Sequence, residues 1–139
     1  MGINYYLIED YCPRCGQGGG RLHIGKASVG WCFALRIHPD KEIYDLENWI
    51  IRLSNAGGPI LDEYNKPVSL GTLVDIITNR SAIRDFDWSG HDLECKSEDD
   101  FHEKNDSERG PNGLFRRRIG SFCVRHGRGT WDCIEADFS

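Results

Sequence analysis

Two short stretches near opposite ends of the chain constrain the fold most, because both have the spacing of metal ligands. The letters CPRCG at 12–16 have the form of a zinc knuckle, in which two thiolates three residues apart hold part of a tetrahedral ion. The letters CVRH at 123–126 repeat that step with an imidazole in place of the second thiolate. A knuckle supplies only half of a site, so the sequence predicts a structural zinc ion with these ligands: Cys12, Cys15, Cys123 and His126.

Such an ion would tie an amino-terminal strand to a carboxy-terminal hairpin. It would close a loop of roughly a hundred residues, where a constraint on the unfolded chain has a large effect. Two alternatives stay open. In the first, the cysteines bind no metal and His126 is a surface histidine. In the second, other residues complete the ligand set, and the candidates are His23, Cys32, Cys95 and Cys133. A redox dithiol is disfavoured, because glycines follow Cys15 where such sites begin a helix.

The remaining pattern predicts an α+β fold in a single domain over residues 1–139. The predicted strands are 3–9, 22–24, 31–38, 60–64, 114–119 and 130–138. Apolar residues at helical spacing predict one helix starting at Asp45 and a second after Ser69, which is suited to cap it. We therefore expect a small antiparallel sheet built from both chain ends, with two helices inserted. The polar segment at about 89–112 is predicted to be a surface loop.

Charge and targeting signals narrow the function classes. The net charge of −5 disfavours nonspecific binding to nucleic acid, which needs a basic face. The one basic cluster, Arg116–Arg118, is predicted to be a solvated or acid-paired strand edge. The sequence shows no secretory signal and no apolar run of membrane-spanning length. We expect a cytoplasmic protein, in which six cysteines serve as free thiols or metal ligands.

One further stretch resembles a phosphate loop. The letters GRLHIGK at 20–26 satisfy G-x-x-x-x-G-K, but Ala27 stands where Ser or Thr would hold magnesium, and strand-like residues follow. We interpret the stretch as a hairpin, with Lys26 and Ser28 as a candidate anion-binding tip. These residues could be purely structural, but the alternative is a catalytic site. Its candidate residues are His23, Lys26, His126 and Asp132, with Asp132 orienting His126.

The stretches NYYLIEDYCPRCG, LHIGKASVGW and HGRGTWD resemble small accessory proteins encoded by tailed bacteriophages and prophages. The resemblance implies a bacterial host cytoplasm and a protein that binds and disables, or redirects, a host factor. It assigns no catalytic residues to this sequence.

Our first functional hypothesis is a zinc-stabilised binding module that acts on a host protein, such as a defence factor. The second is a small metal- or histidine-dependent hydrolase or nuclease. The third is a zinc-scaffolded nucleic-acid binder using Arg116–Arg118, which the negative charge disfavours. A binding module is favoured over an enzyme, and no membrane partner is expected.

Overall fold

The computed structural model describes residues 2–9, 14–15, 20–81, 95–120 and 122–138 of the chain. Within them the strands are β1 (Gly2–Glu9), β2 (Gly20–Ser28), β3 (Phe33–Arg36), β4 (Ile60–Asp62), β5 (Pro67–Val68), β6 (Ser107–Arg109), β7 (Phe115–Arg117), β8 (Cys123–His126) and β9 (Trp131–Ile134). The α-helices are α1 (Leu46–Asn55), α2 (Leu70–Thr78) and α3 (Glu98–Asn105). The predicted α+β class is confirmed.

Seven of these strands form one sheet in the order β5-β4-β1-β2-β3-β9-β8, while β6 and β7 form a separate antiparallel pair. The two ends of the chain meet inside the large sheet, because β9 lies beside β3. The prediction of one sheet built from both chain ends is therefore confirmed. The sheet differs from the expected antiparallel order at the β3–β9 pair, which is parallel. A long connection runs from β3 to β9, and such a crossover permits parallel pairing.

The two helices that the sequence predicts begin at capping side chains. The carboxylate of Asp45 accepts a hydrogen bond from the backbone N–H of Asn48 at 2.8 Å. The hydroxyl of Ser69 accepts one from the backbone N–H of Thr72 at 3.1 Å. Each cap satisfies a donor that a helix start leaves without an intrahelical partner.

Both helices cover the same face of the sheet. Trp49 of α1 and Leu73 of α2 are fully buried in the main hydrophobic core. The strand residues of this core include Tyr5, Leu7, Leu22, Ile24, Phe33, Leu35 and Cys133. We call this the helix-covered face of the sheet, and its other side the open face.

The stretch that matches G-x-x-x-x-G-K lies inside β2, which pairs with β3 as the hairpin interpretation expects. The predicted tip is wrong, because Lys26 and Ser28 belong to the strand itself and the turn follows them. The pairing of β1 with β2 shifts register at Tyr5 and Tyr6, and Ile24 is the extra residue of a bulge there. A Cβ atom on Gly25 would lie 2.2 Å from the carbonyl oxygen of Ala34. Close packing against β3 therefore requires this glycine, and no phosphate loop is needed to explain it.

The segment predicted as a polar loop at 89–112 contains α3 and β6. Ser97 caps α3 by accepting a hydrogen bond from the N–H of Asp100 at 3.1 Å. Phe101 packs with Phe115 in a second small core, with ring centroids 5.3 Å apart. The few apolar residues of this segment thus serve a local core of their own, which is why the polar composition concealed a helix. Residues 89–94 lie outside the described residues.

Candidate metal centre

The open face of the sheet carries a row of mostly polar side chains. Directly paired residues on neighbouring strands point to the same face. The strand register places five of them side by side, and we call them the polar row: Asn4, Lys26, Ala34, Asp132 and His126. Two residues that the sequence analysis selected for chemistry, Asp132 and His126, are therefore direct neighbours on β9 and β8.

A third side chain, Cys123, joins Asp132 and His126 at the β8 end of the polar row. One ligand atom of each residue lies within 4.8 Å of the other two. We call Cys123, His126 and Asp132 the metal group. Thiolate, imidazole and carboxylate are all donors that zinc accepts. The group can hold a metal ion through three protein ligands.

Asp132 is held from two sides by β7. Its Oδ1 accepts a hydrogen bond from Nε of Arg116 at 2.9 Å, and its Oδ2 accepts one from the backbone N–H of Arg117 at 3.1 Å. The residue is only 2% exposed. Burial raises the pKa of Asp132, and the positive charge of Arg116 opposes that shift. A metal ion at this site would share the carboxylate with Arg116.

His126 is oriented by a backbone carbonyl. Its Nε2 lies 2.8 Å from the carbonyl oxygen of Arg117. Because a carbonyl only accepts hydrogen bonds, Nε2 carries the proton and Nδ1 offers a lone pair. Hydrogen bonds of this kind commonly orient the histidine ligands of metal sites.

Cys123 is an unreactive thiol in the absence of a metal. It is 1% exposed, and its S–H donates to the carbonyl oxygen of Arg125 at 3.4 Å. Burial, followed by the charge of Asp132, raises the pKa of Cys123 to about 12. Burial thus works against the thiolate that a cysteine nucleophile requires. A bound cation would favour the thiolate and release its proton.

The structure brings together one half of the predicted zinc site. Cys123 and His126 belong to the metal group, whereas Cys15 is exposed and outside it. Cys12 lies outside the described residues, so the four-ligand site remains a prediction. Strand β2, which follows the knuckle, is separated from β8 by β3 and β9. Three strand spacings amount to about 14 Å, which the knuckle segment would have to span.

The other cysteines considered as ligands lie elsewhere. Cys133 packs in the main core and Cys95 in the second core. Cys32 lines a cavity beside Asp132, and burial raises its pKa to about 12. Among the described residues, none of these three is a member of the metal group.

The alternative catalytic residues do not converge on one point. His23 lies on β2, and its Nε2 donates to Oδ1 of Asn4 at 2.8 Å. Burial, then the charge of Arg36, lowers the pKa of His23 to about 4. Two strands separate it from His126 on β8. Lys26 and Asp132, in contrast, line the same cavity of about 220 Å³.

The side chains of the run Arg116–Arg118 make different contacts. Arg116 forms an ion pair with Asp132, with 2.8 Å between the guanidinium nitrogen and Oδ1, and its side chain is only 12% exposed. The guanidinium of Arg117 lies over the ring of Trp31, 5.3 Å from the ring centroid. The acid-paired interpretation of this run is confirmed for Arg116.

From the sequence, Asp132 is expected only as a partner of His126, whereas the structure makes it a possible metal ligand. The signal was present in the glycines around Arg128. A hairpin centred on Gly129 aligns position 126 with position 132, as the observed register does.

Comparison with known proteins found no matching family model, no similar curated protein and no similar solved structure. Within the described residues, no helix is both long enough and apolar enough to cross a membrane.

Proposed function

We propose that this chain is a zinc-stabilised accessory protein that acts by binding another protein. In the setting that the sequence resemblance implies, the partner is a protein of a bacterial host whose activity the complex blocks or redirects. The observation that carries the proposal is the metal group, which lies between the edge of the large sheet and β7 and of which Cys123 and Asp132 are buried.

The donors and their surroundings support a structural zinc ion. Cysteine and histidine favour zinc over magnesium or calcium, which prefer oxygen ligands. Cys123 and Asp132 are almost fully buried, so an ion between them would join β8 to β9 away from bulk water. With Asp132 as a third ligand, a tetrahedral ion has one position left, so the knuckle would supply one cysteine, Cys12 or Cys15, in place of the predicted pair.

A protein contact is supported by apolar side chains beside the edge strand β8. Three of them are exposed: Ile119 at 61%, Phe122 at 58% and Val124 at 39%. Val124 lies on the strand that carries Cys123 and His126, Phe122 comes directly before it, and Ile119 forms a β-bridge with Cys123. Large apolar side chains grouped beside a sheet edge are a common feature of protein-binding surfaces. The metal would then keep this edge strand in its binding conformation.

Metal analysis of protein purified without added zinc tests the first half of the proposal. We expect about one zinc ion per chain, since a structural site is closed around a single ion. Cys123→Ser and His126→Ala should each lose the ion and lower the melting temperature by about 5 °C or more. Cys32→Ala is the matched control, since it removes a buried thiol outside the metal group. A metal-free protein with the same melting temperature would contradict the proposal.

The knuckle needs a separate comparison. If it completes the site, Cys12→Ser or Cys15→Ser should also release zinc. Retention of zinc by both variants would leave Cys123, His126 and Asp132 as the protein ligands and would contradict the four-ligand arrangement.

Capture of partners from a bacterial host lysate tests the second half. Phe122→Ser combined with Val124→Ser should abolish capture of the same partner that the native chain retains. Ile51→Ser is the control, because Ile51 is 61% exposed but lies on α1. Equal capture by both variants would place the contact elsewhere and contradict the role of this edge.

A second candidate function, a zinc-dependent hydrolase, is favoured by one observation. Three protein ligands with a fourth open position are typical of catalytic zinc, and Asp132 lines the cavity of about 220 Å³. Under this alternative, zinc-dependent cleavage of phosphodiester or ester substrates should be abolished by His126→Ala. Both knuckle variants should then keep their zinc and their activity.

A further inference from the structure

The cavity beside the metal group has a simple structural origin. In the polar row, Ala34 stands between Lys26 and Asp132, and its methyl group is much shorter than either neighbour. This leaves a hollow of about 220 Å³ on the open face. Ser28, Trp31 and Arg117 also line it.

The walls of the cavity favour a negatively charged ligand. Lys26 and Arg117 contribute two positive side chains from parts of the chain far apart in sequence. The one acidic wall residue, Asp132, is already paired with Arg116. The side chains that line the cavity therefore carry more positive than negative charge, although the whole chain carries −5.

Arg117 is held in place before any ligand binds. Its guanidinium lies over the Trp31 ring, and its backbone N–H donates to Asp132. Cation–π packing restricts the side chain while its N–H groups remain able to donate to a ligand. Because a restricted side chain loses less entropy on binding, this arrangement suits recognition of a small anion.

We infer that this cavity binds a phosphate group, either free or carried by a small molecule, between Lys26 and Arg117. Ser28 also lines the cavity, and a serine hydroxyl can donate a further hydrogen bond. The inference unites two sequence features that the proposed function leaves unused, the lysine of the G-x-x-x-x-G-K stretch and the arginine run. It does not require zinc, because neither Cys123 nor His126 lines the cavity.

Titration of the full chain with inorganic phosphate tests the inference. Calorimetry at about 0.15 M salt suppresses weak contacts with isolated surface charges. We expect saturable binding at one site. Lys26→Gln and Arg117→Gln should each weaken it about tenfold, which corresponds to roughly 1.4 kcal/mol. Arg118→Gln is the matched control, because it removes an exposed charge from the same run but not from the cavity wall.

Ala34→Leu provides an independent test that changes no charge. The larger side chain should fill the hollow and abolish phosphate binding, with folding checked by thermal unfolding. Equal affinity in the native chain, Lys26→Gln and Arg117→Gln would overturn the inference even if Ala34→Leu failed to fold. So would an equal loss in Arg118→Gln, since binding would then reflect diffuse surface charge.

Two further measurements distinguish the source of the phosphate and the role of metal. Ribose 5-phosphate that binds more tightly than inorganic phosphate would identify a phosphorylated small molecule as the ligand, and equal affinity would identify the free ion. Binding should persist after zinc is removed with a chelator. Loss of binding on chelation, with no effect of Lys26→Gln, would place the anion on the metal and overturn the inference.

Discussion

The two faces of the large sheet differ in the side chains that they carry. On the helix-covered face, Leu7, Phe33 and Leu35 pack against α1 and α2 in an apolar core. On the open face, the same sheet presents Asn4, Lys26 and Asp132. Side chains alternate along a strand, so one short sequence supplies both faces. One face therefore carries the main apolar core, and the other carries the polar row with the candidate metal group.

The buried polar groups of the open face need hydrogen-bond or ion-pair partners to offset their loss of hydration, which the apolar core does not. Strand β7 lies over β9 and supplies Asp132 with both the guanidinium of Arg116 and the N–H of Arg117. Buried polar groups are costly without such partners. The small second sheet is therefore the element that permits a carboxylate inside this protein.

The largest loss of stability is expected from a substitution on the helix-covered face. Trp49 is fully buried, and its Nε1–H donates to the carbonyl oxygen of Arg36 at 2.7 Å. Trp49→Ala should lower the free energy of unfolding by about 4 kcal/mol, through the cavity it leaves and the unpaired carbonyl. Urea unfolding measures this. Ile51→Ala, on the exposed side of the same helix, should change stability by less than about 0.5 kcal/mol. Similar losses in the two variants would contradict the assignment of this face.

The second largest loss of stability is expected from removing the buried carboxylate on the open face. Asp132→Ala leaves the buried guanidinium of Arg116 without its carboxylate and should cost about 3 kcal/mol. The measurement is made with a chelator present, so that loss of a bound metal does not contribute. Asp137→Ala is the control, because Asp137 pairs with Arg36 but its side chain is 90% exposed. That pair should contribute less than about 1 kcal/mol. A loss no larger than that of the control would show that β7 does not stabilise the open face.

A feature of this molecule can be predicted from the sequence when the residues that form it are close together along the chain. The starts of α1 and α2 follow from Asp45 and Ser69 and from local apolar spacing, and both were predicted. The parallel pairing of β3 with β9 was not, because it joins residues about a hundred positions apart and no local pattern encodes it. Asp132 is an intermediate case: the local β8–β9 hairpin brings it beside His126 and Cys123, whereas its partner Arg116 lies on β7 and reaches it only in the tertiary fold.

The third effect depends on pH and concerns His23 on the open face. Its ordinary pKa of 6.5 is lowered to about 4, first by burial, then by the charges of Arg36 and His38. Below pH 6.5 the unfolded chain therefore binds a proton that the folded chain does not. Stability is fully present above pH 6.5 and declines as the pH falls toward 4, with a loss of about 2 kcal/mol by pH 5.

The matched variant isolates this contribution. His23→Gln cannot titrate, so its stability should fall less steeply between pH 7 and pH 5 than that of the native chain. His38 also has a lowered pKa through burial, and it contributes equally to both proteins. Parallel stability curves for the two proteins would contradict the lowered pKa of His23.

The smallest effect returns to the helix-covered face. The Ser69 hydroxyl caps α2 at the N–H of Thr72, so Ser69→Ala should cost about 1 kcal/mol. Ser54→Ala, near the end of α1, removes a hydroxyl from an exposed position and should have little effect. Because the buried side chains of α2 pack in the core of the helix-covered face, Ser69→Ala should leave zinc content and phosphate affinity unchanged. A change in either would show that the two faces are coupled through the sheet.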